Sequence, residues 1–403
     1  MDGVHVAELR AATGYSIRCA YTDEALERWP RNSPVISCSL PLGPRPLEAT
    51  AFCRGLLPEG RALQILADQA GLATRDTFGL LARYGRDVAG ALVIAGEEPE
   101  PRRFGVERYT PESLLEQVED LEDHPLGAHD DSELSLAGLQ DKLLLVRLEG
   151  GGWGRPLRGR PSTHILKVDN PRFPGLIEAE AQCLLLARAA GLSDIEIELE
   201  TIGETRCLIV SRFDREVDGE EVRRVHQEDL LQALGIDPDR NERRAKYEAG
   251  GGPRLKNAAE LLDAYAPEPP AQLDRLVAAT TFTALIGNAD AHAKNLALLH
   301  RTSQEIELAP LYDTVPTALW PRLRPEAAMA IGGQVMLSDV TIDDVVREAV
   351  VWPHPRDRAE RVARETAEAL TRALEEKVIP PDSPVAELVA GRAAAFVGEP
   401  ERN

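Results

Sequence analysis

The chain has 403 residues, with 46 Lys and Arg against 67 Asp and Glu, so its formal net charge is −21. Single hydrophobic cores stop growing near about 250 to 300 residues, so this length predicts two or three lobes. The acidic balance disfavours direct binding to nucleic acid or to anionic membranes. The five cysteines lack a C-x-x-C spacing, and neither a signal peptide nor a membrane span is visible. A soluble cytoplasmic protein is therefore expected.

The amino-terminal part of the sequence predicts a β-rich opening followed by helices. Apolar residues alternate at 4–9 and 15–21, as they do in strands, and further along their spacing becomes helical. A strand-like run, Ala91 to Ala95, then closes the unit, and a charged segment with two prolines follows it. We therefore assign residues 1–100 to a first domain.

The middle of the chain predicts the order strand, strand, helix, strand. A separate helix begins before this series, at Pro111. Beyond Arg224 the apolar spacing is mostly helical, which divides the remainder into a small mixed lobe, 101–222, and a helical lobe, 223–403. The predicted elements of the series lie at 142–148, 163–168, 177–190 and 206–210.

The stretch LIGNADAHAKNLALL, 285–299, places polar functional residues in a loop between an apolar helix and an apolar strand. A protein-kinase catalytic loop needs an Asp that accepts the proton of the substrate hydroxyl and an Asn five residues later that holds a metal ion. Asp290 and Asn295 have this spacing, although the His-Arg that usually precedes the Asp is missing. Taken alone, such a pair more often consists of turn and capping residues, so a second signal is needed.

The second signal is an aspartate at the end of a predicted hairpin. Strand-like runs at 295–299 and 305–309 are joined by HRTSQ, and the sequence LAPLYD places Asp313 after the second run. Acidic or amide ligands on the two sides of a hairpin are how kinases hold magnesium. The pattern therefore favours a metal-dependent site over a set of turn residues.

Two further segments suit the binding of phosphates. Lys167 ends the apolar strand THILK, and Glu180 lies on the following helix, as in the strand lysine and helix glutamate of kinases. Glu178 is a rival for the partner position, and an edge lysine with a surface glutamate is the simpler alternative. The segment SLAGLQDK, 135–142, could place backbone amides against phosphates, but it lacks the glycine pattern of the known phosphate loops.

These segments occur in the order seen in HipA-type kinases. The shared motifs are SLAGLQDK, THILK, EAEAQCLLLARAAGL, IVSRFDR, VHQEDLLQALG, KYEAGGGP, GNADAHAKN and LAPLYD, preceded by SLPLGP, FCRGLLPEG and FGLLARYGRDVAGAL. So many matches in order are hard to produce by chance. The chain thus resembles the HipA family from near residue 4 to at least residue 320. The resemblance implies an α+β, two-lobed protein-kinase-like fold with an N-terminal β-rich domain and a mostly helical C-terminal lobe.

The resemblance also implies roles for single residues. Asp290 would be the general base, Asn295 and Asp313 would bind Mg²⁺, and Lys294 is the candidate for contacting the transferring phosphate. The backbone of the motif SRFDR would face adenine, and the segment ending at Lys142 would replace a glycine-rich loop. The residues assigned to the ATP site are Ala137, Gly138, Leu139, Gln140, Asp141, Lys142, Lys167, Glu180, Ser211, Arg212, Phe213, His292 and Tyr312.

Regulation and partners follow from the same resemblance. In this family the serine that opens the phosphate loop is phosphorylated, which switches the kinase off, and Ser135 matches it here. The expected partner is a helix-turn-helix antitoxin of the HipB type, so contact with DNA would be indirect. The expected substrate is a protein Ser or Thr, in a translation component such as an aminoacyl-tRNA synthetase, with growth arrest as the outcome. A small-molecule phosphotransferase of the aminoglycoside type and a catalytically silent corepressor for an antitoxin remain as alternatives.

Overall fold

The computed structural model of the chain contains both helices and strands in quantity, which confirms the predicted α+β class. It describes residues 3–96, 105–121, 142–170, 172–219, 221–240 and 244–397. These residues form two compact units. The first unit lies within 1–170, 196–238 and 299–304, and the second lies within 171–195, 239–298 and 305–403.

The first unit combines short helices with antiparallel strands. Its helices include α1 (Asp23–Arg28), α2 (Thr50–Gly55), α3 (Gly60–Ala70), α4 (Thr77–Tyr84), α5 (Pro111–Glu119) and α7 (Leu230–Ala233). Its strands include β1 (Ala7–Ala11), β2 (Ile17–Tyr21), β3 (Leu47–Glu48), β4 (Gly105–Arg108), β5 (Lys142–Arg147), β6 (Trp153–Leu157), β7 (His164–Val168), β8 (Ile197–Ile202), β9 (Thr205–Ser211), β10 (Arg215–Asp218), β11 (Glu221–Arg224) and β12 (His226–Asp229).

An antiparallel sheet with the order β4-β6-β5-β7-β9-β8 dominates this unit. One face packs on α5 and buries Leu143, Leu145 and Leu166, while residues of the other face, Leu144 and Ile165, join the core of the amino-terminal segment. Alternation along the strands explains the division, because successive side chains point to opposite faces. The strands predicted at 142–148, 163–168 and 206–210 are confirmed by β5, β7 and β9.

The strand predicted at Ala91 to Ala95 is wrong, because this segment has no regular secondary structure. Gly90 has a φ of 81°, which turns the chain out of an extended path. The amides of Gly90 and Ala91 bond to side chains, and the amide of Ile94 bonds to the carbonyl of Gly85, so none of the three pairs with a strand. Gly90 N donates to Asp214 Oδ2 at 2.7 Å, and Ala91 N donates to His226 Nδ1 at 3.3 Å. The apolar composition therefore failed to predict this segment, because the hydrogen-bond partners of Gly90 N and Ala91 N are side chains that lie far away in the sequence.

A buried ion network links the amino-terminal segment to the sheet of the same unit. Asp214 accepts from Arg212 at 2.7 and 2.9 Å, and its Oδ2 lies 2.9 Å from Arg215. Asp87 lies 2.9 Å from Arg215 and 3.6 Å from Arg224. Burial by itself raises the pKa of Asp214, but the guanidinium groups of Arg212 and Arg215 outweigh it and hold that pKa well below the usual value. The charges thus compensate one another inside the core.

The second unit is mostly helical and is arranged around one long buried helix. Its helices include α6 (Leu176–Ala189), α8 (Leu255–Tyr265), α9 (Pro269–Ile286), α10 (Ile342–Ala349), α11 (Arg356–Glu375) and α12 (Pro384–Val397). Strands in the same part of the chain are β13 (Ala297–His300), β14 (Ile306–Leu308), β15 (Glu326–Ile331) and β16 (Gln334–Met336). Helix α9 contacts α8, α11 and α12, so it is buried on several faces and its carboxyl end is held firmly. No helix in the described ranges is long and apolar enough to cross a bilayer.

Candidate active site

The loop that carries Asp290 begins where α9 ends in a left-handed glycine. Gly287 has a φ of 67°, and an added Cβ there would lie 2.8 Å from Ala318 Cβ, so this position favours glycine. Thr317 Oγ1 donates to the carbonyl of Gly287 at 3.1 Å and accepts from Ala289 N at 2.7 Å. This single threonine fixes the direction in which the loop leaves the helix.

The two loop residues predicted from their spacing lie in contact. Asn295 Nδ2 donates to the carbonyl oxygen of Asp290 at 3.0 Å. The same carbonyl accepts from His292 N at 2.7 Å, which closes a tight turn. Because the Nδ2 atom is used in this bond, Oδ1 is the atom that Asn295 can offer to a metal ion. The side chain of Asp290 is exposed, as a group that must meet a substrate has to be.

Asp313 is tied to the same loop through its backbone. The β13–β14 hairpin closes with Ala309 N donating to Ala297 O at 2.9 Å, and the chain then reaches Asp313 with a φ of 49°. Asn288 donates through Nδ2 to Asp313 O at 3.3 Å and accepts from Asp290 N at 3.0 Å. One buried asparagine therefore joins the backbones of the proposed base and the second proposed metal ligand.

The donor set fits a magnesium ion that is bound together with a nucleotide. Carboxylate and amide oxygens are the ligands that Mg²⁺ prefers, and it usually takes only one or two protein carboxylates alongside phosphates and waters. Among the described residues, no group of three or more His, Cys, Asp or Glu could hold a metal. Asn295 and Asp313 suit a site of the other kind, in which a nucleotide supplies the remaining ligands.

The remaining predicted residues of the catalytic loop are more buried. Lys294 is 8% exposed and lies in the short turn Ala293–Asn295, whose shape is supported by Tyr312, since the phenol of Tyr312 donates to Lys294 O at 2.8 Å. His292 is 6% exposed, and its ring meets Tyr247 edge to face at 5.3 Å. The structure gives Tyr312 and His292 a part in shaping the loop, and the nucleotide contacts assigned to them stay predictions.

In the first unit, two predicted phosphate-binding lysines lie directly opposite each other. Lys142 on β5 pairs with Lys167 on β7 in the antiparallel register, so both side chains leave the same face of the sheet. They are 9% and 6% exposed. Two lysines on one face of the sheet would suit an anion that carries several charges, such as a phosphate. Ser135 and residues 137–141 of the same predicted segment lie outside the described residues.

Burial separates the two candidates for the glutamate partner of Lys167. Glu180 on α6 is completely buried, whereas Glu178 is half-buried near the start of the same helix. Fully buried carboxylates are rare unless they have a structural or functional partner, so burial favours Glu180. Because Lys167 and Glu180 fall in different units, their pairing stays a prediction.

The segment predicted to face adenine has a second role that its sequence did not reveal. Ser211 N donates to Glu196 O, and Arg212 N donates to Thr163 O, both at 2.9 Å. An adenine contact in this segment would therefore have to use carbonyl groups or Phe213. The side chain of Arg212 belongs to the ion network, and its pairing with Asp87 could not be predicted from SRFDR alone.

Sequence reasoning also missed the residue that contacts the carboxylate of Asp290. The phenol of Tyr247 donates to Asp290 Oδ1 at 2.8 Å. Tyr247 lies in the motif KYEAGGGP, which entered the family resemblance without a role for any of its residues. Asn288 and Thr317 were missed as well, since their contacts are with backbone atoms of the loop.

The chain is similar to known proteins over most of its length. The family model described as the HipA-like C-terminal domain matches residues 134–374, and that of the HipA N-terminal domain matches residues 1–95. A curated relative named as putative kinase Y4mE, from Sinorhizobium fredii, is 36% identical and covers 93% of this chain and 91% of the relative. The serine/threonine-protein kinase toxin HipA of Shewanella oneidensis is 30% identical and covers 72% of this chain and 70% of the relative.

A solved structure of a HipA protein has a similar fold. The chain is similar to HipA of Shewanella oneidensis in a complex with HipB and its operator DNA, with a TM-score of 0.79 and 25% identity. The match covers 96% of this chain and 92% of that chain.

Proposed function

Because this chain belongs to the HipA family of kinases, we propose that it transfers phosphate from ATP to a protein serine or threonine. One observation carries the proposal: Asp290, Asn295 and Asp313 belong to a single hydrogen-bonded arrangement. Asn295 bonds to the carbonyl of Asp290, and Asn288 joins the backbones of Asp290 and Asp313. This arrangement satisfies the spacing rule of a kinase catalytic loop and adds the acidic ligand that follows the hairpin.

The residues divide the chemistry in a simple way. The exposed carboxylate of Asp290 accepts the proton of the substrate hydroxyl, so the oxygen can attack the γ-phosphate. Asn295 Oδ1 and the Asp313 carboxylate would hold Mg²⁺, which when bound supplies positive charge to the phosphates. Lys142 and Lys167 would bind phosphate oxygens, since they are paired across two strands and both side chains leave the same face of the sheet. Lys294 is the proposed contact for the transferring phosphate.

The proposed partner is an antitoxin of the HipB type, as in the solved Shewanella complex. The net charge of −21 repels nucleic acid, so DNA would be held by the antitoxin rather than by this chain. In that setting the chain would act as the toxin and arrest growth by phosphorylating a protein, such as an aminoacyl-tRNA synthetase. Phosphorylation of Ser135 would switch the kinase off, because a phosphate beside ATP phosphates is repelled.

Two other functions are disfavoured by particular observations. The match of residues 1–95 to the HipA N-terminal domain gives no support to an aminoglycoside-type phosphotransferase. A catalytically silent corepressor has no need of the hydrogen bonds that hold Asn295 and Asn288 in place. Both functions stay as outcomes of the experiment below.

The experiment is phosphate transfer from labelled ATP with Mg²⁺, followed by mass spectrometry of the chain itself. We expect wild-type protein to carry phosphate on Ser135 and Asp290→Asn protein to carry none. Nucleotide binding without transfer would favour the silent corepressor. Transfer to aminoglycosides but not to protein would favour the small-molecule enzyme. A protein that neither binds nucleotide nor transfers phosphate would contradict both the protein kinase and the small-molecule phosphotransferase.

A further inference from the structure

The glycine-rich motif KYEAGGGP has a structure that the function proposed above does not explain. It forms a loop in the second unit, and its tyrosine reaches the carboxylate of the proposed base. A phenol that donates at 2.8 Å to a carboxylate is a strong, charge-assisted hydrogen bond. This contact uses only one of the two carboxylate oxygens of Asp290.

The glycines of the motif are required by the shape of the loop. Gly250 N and Gly252 N both donate to the carbonyl of Tyr247, at 2.9 and 3.0 Å, so the loop folds back on the residue it presents. An added Cβ at Gly252 would lie 2.1 Å from Ala245 O, and one at Gly250 would lie 2.1 Å from Arg244 O. Atoms that close to backbone cannot be accommodated without moving the loop.

The loop is attached on both of its sides. Ala293 N, in the catalytic loop, donates to Lys246 O at 3.1 Å, and the ring of Tyr247 packs edge to face on His292. On the other side, Glu248 Oε2 accepts from Ala330 N of strand β15 at 2.8 Å. The residues on both sides of Tyr247 are therefore held by two separate elements, so the position of the phenol does not depend only on its bond to Asp290.

We propose that Tyr247 is a positioning residue for phosphate transfer, which holds the Asp290 carboxylate through Oδ1 so that Oδ2 accepts the substrate proton. The terminal torsion of an exposed Asp is broad, so without a partner the carboxylate would sample many orientations. A single fixed donor removes most of this freedom and leaves the second oxygen for the substrate. The inference rests on the proposed kinase function and assigns a role to a motif outside the loop of Asp290.

Tyr247→Phe tests the proposal, because it removes the hydroxyl and keeps the ring against His292. We measure transfer from labelled ATP with Mg²⁺ to the chain itself and to dephosphorylated casein as a general protein acceptor. The maximal rate should fall roughly tenfold, the value expected for losing a hydrogen bond to a charged group, while the ATP concentration for half-maximal rate stays unchanged. Tyr84→Phe is the matched control, because it removes a phenol that donates to the carbonyl of Leu66 in the first unit.

A second variant moves Tyr247 without changing it. Gly252→Ala should lower the maximal rate at least as much as Tyr247→Phe, because the added methyl group displaces the loop that presents the phenol. Gly391→Ala is its control, since an added Cβ at Gly391 meets nothing within 4 Å. Affinity for a nonhydrolysable ATP analogue and the midpoint of thermal unfolding are recorded for all variants. A role limited to folding would lower the unfolding midpoint and leave the rate of the folded fraction unchanged.

The outcomes separate this inference from the function on which it rests. If wild-type protein transfers phosphate and Tyr247→Phe matches it, the positioning role is wrong and the kinase function stands. A faster Tyr247→Phe variant would also overturn the proposal, because the phenol would then compete with the substrate. Phosphate found on Tyr247 itself would make it an acceptor instead. If wild-type protein neither binds nucleotide nor transfers phosphate, both proposals fail together.

Discussion

Two aspartates of this chain use their carboxylates in opposite ways. Asp214 in the first unit has a side chain only 3% exposed and two guanidinium partners, so its charge is fully used in holding the core. Asp290 in the second unit is exposed and accepts from one phenol among the described residues. Both carboxylate oxygens of Asp214 are engaged in holding the structure. One oxygen of Asp290 is left over, and we propose that it accepts the proton of a substrate. Substituting each aspartate should therefore affect stability or activity, but not both.

The largest expected effect is on activity at Asp290. Asp290→Asn keeps the shape of the side chain but removes the base, so the rate of phosphate transfer should fall about a thousandfold or more. The midpoint of thermal unfolding should stay at the wild-type value, because the side chain is exposed. Both are measured on the same preparation, with binding of an ATP analogue as the control for a folded site. A large drop in the unfolding midpoint of Asp290→Asn would show that Asp290 also stabilises the fold, as Asp214 is expected to do.

The converse substitution is Asp214→Asn in the ion network. Removing one partner of a buried charge pair typically costs about 3 to 5 kcal/mol, because the remaining charge is left uncompensated. We expect the unfolding transition of the variant to shift to much lower urea concentration. Asp218→Asn is the matched control, since Asp218 is exposed on the adjacent strand β10. This variant protein should unfold at the same urea concentration as the wild type. An equally stable Asp214→Asn protein would show that the network contributes no stability.

A smaller effect is expected at the asparagine that joins the loop to Asp313. Asn288→Ala removes the bonds to Asp313 O and to Asp290 N, which loosens a proposed metal ligand and the proposed base. The Mg²⁺ concentration for half-maximal transfer should rise about tenfold, as is typical when a residue supporting a metal ligand is lost. Asn257→Ala serves as the control, because Asn257 caps helix α8 through Arg254 N. An unchanged magnesium requirement in Asn288→Ala would argue against Asp313 as a ligand.

The smallest expected effect is on the pH dependence of stability. It compares the buried histidine His226 with the exposed histidine His5. Burial, and then the neighbouring His300, lowers the pKa of His226 to about 3. An unfolded histidine titrates near about 6.5, so between these values the unfolded state binds the additional proton. The free energy of unfolding should therefore decrease as the pH falls below about 6.5, by up to about 1.4 kcal/mol per pH unit.

The measurement is the unfolding free energy of wild-type protein and His226→Gln between about pH 6.5 and 4.5. The variant should show a shallower slope whatever its absolute stability, and the exposed His5→Gln control should keep the wild-type slope. Burial also lowers the pKa of His164, to about 4, so part of the slope should remain in the variant. Identical slopes in His226→Gln and wild type would contradict a buried, neutral His226.

The contrast between the aspartates also explains how much the sequence could predict. A kinase catalytic loop has an Asp and an Asn five residues apart, so the association of Asp290 and Asn295 was predictable from their spacing. Strands β5, β7 and β9 were predictable from their apolar runs. The ion partners of Asp214, Arg212 and Arg215, lie within SRFDR itself, but no local rule connects this motif with Asp87. The same reason explains the wrong strand at Ala91 to Ala95, since the amide of Ala91 bonds to His226, which is far away in the sequence.

The position of Asp87 has a consequence for how members of this family can recombine. Asp87 lies within residues 1–95, and its partners Arg212, Arg215 and Arg224 lie within residues 134–374, so the border between the two family matches cuts through one ion network. An exchange of the first 95 residues between relatives would leave three buried cations short of one anion unless the incoming piece supplies an acidic residue at the same place. In this chain the two matched segments therefore depend on each other for charge balance in the core, and the carboxylate of Asp87 is what the first segment contributes to that balance.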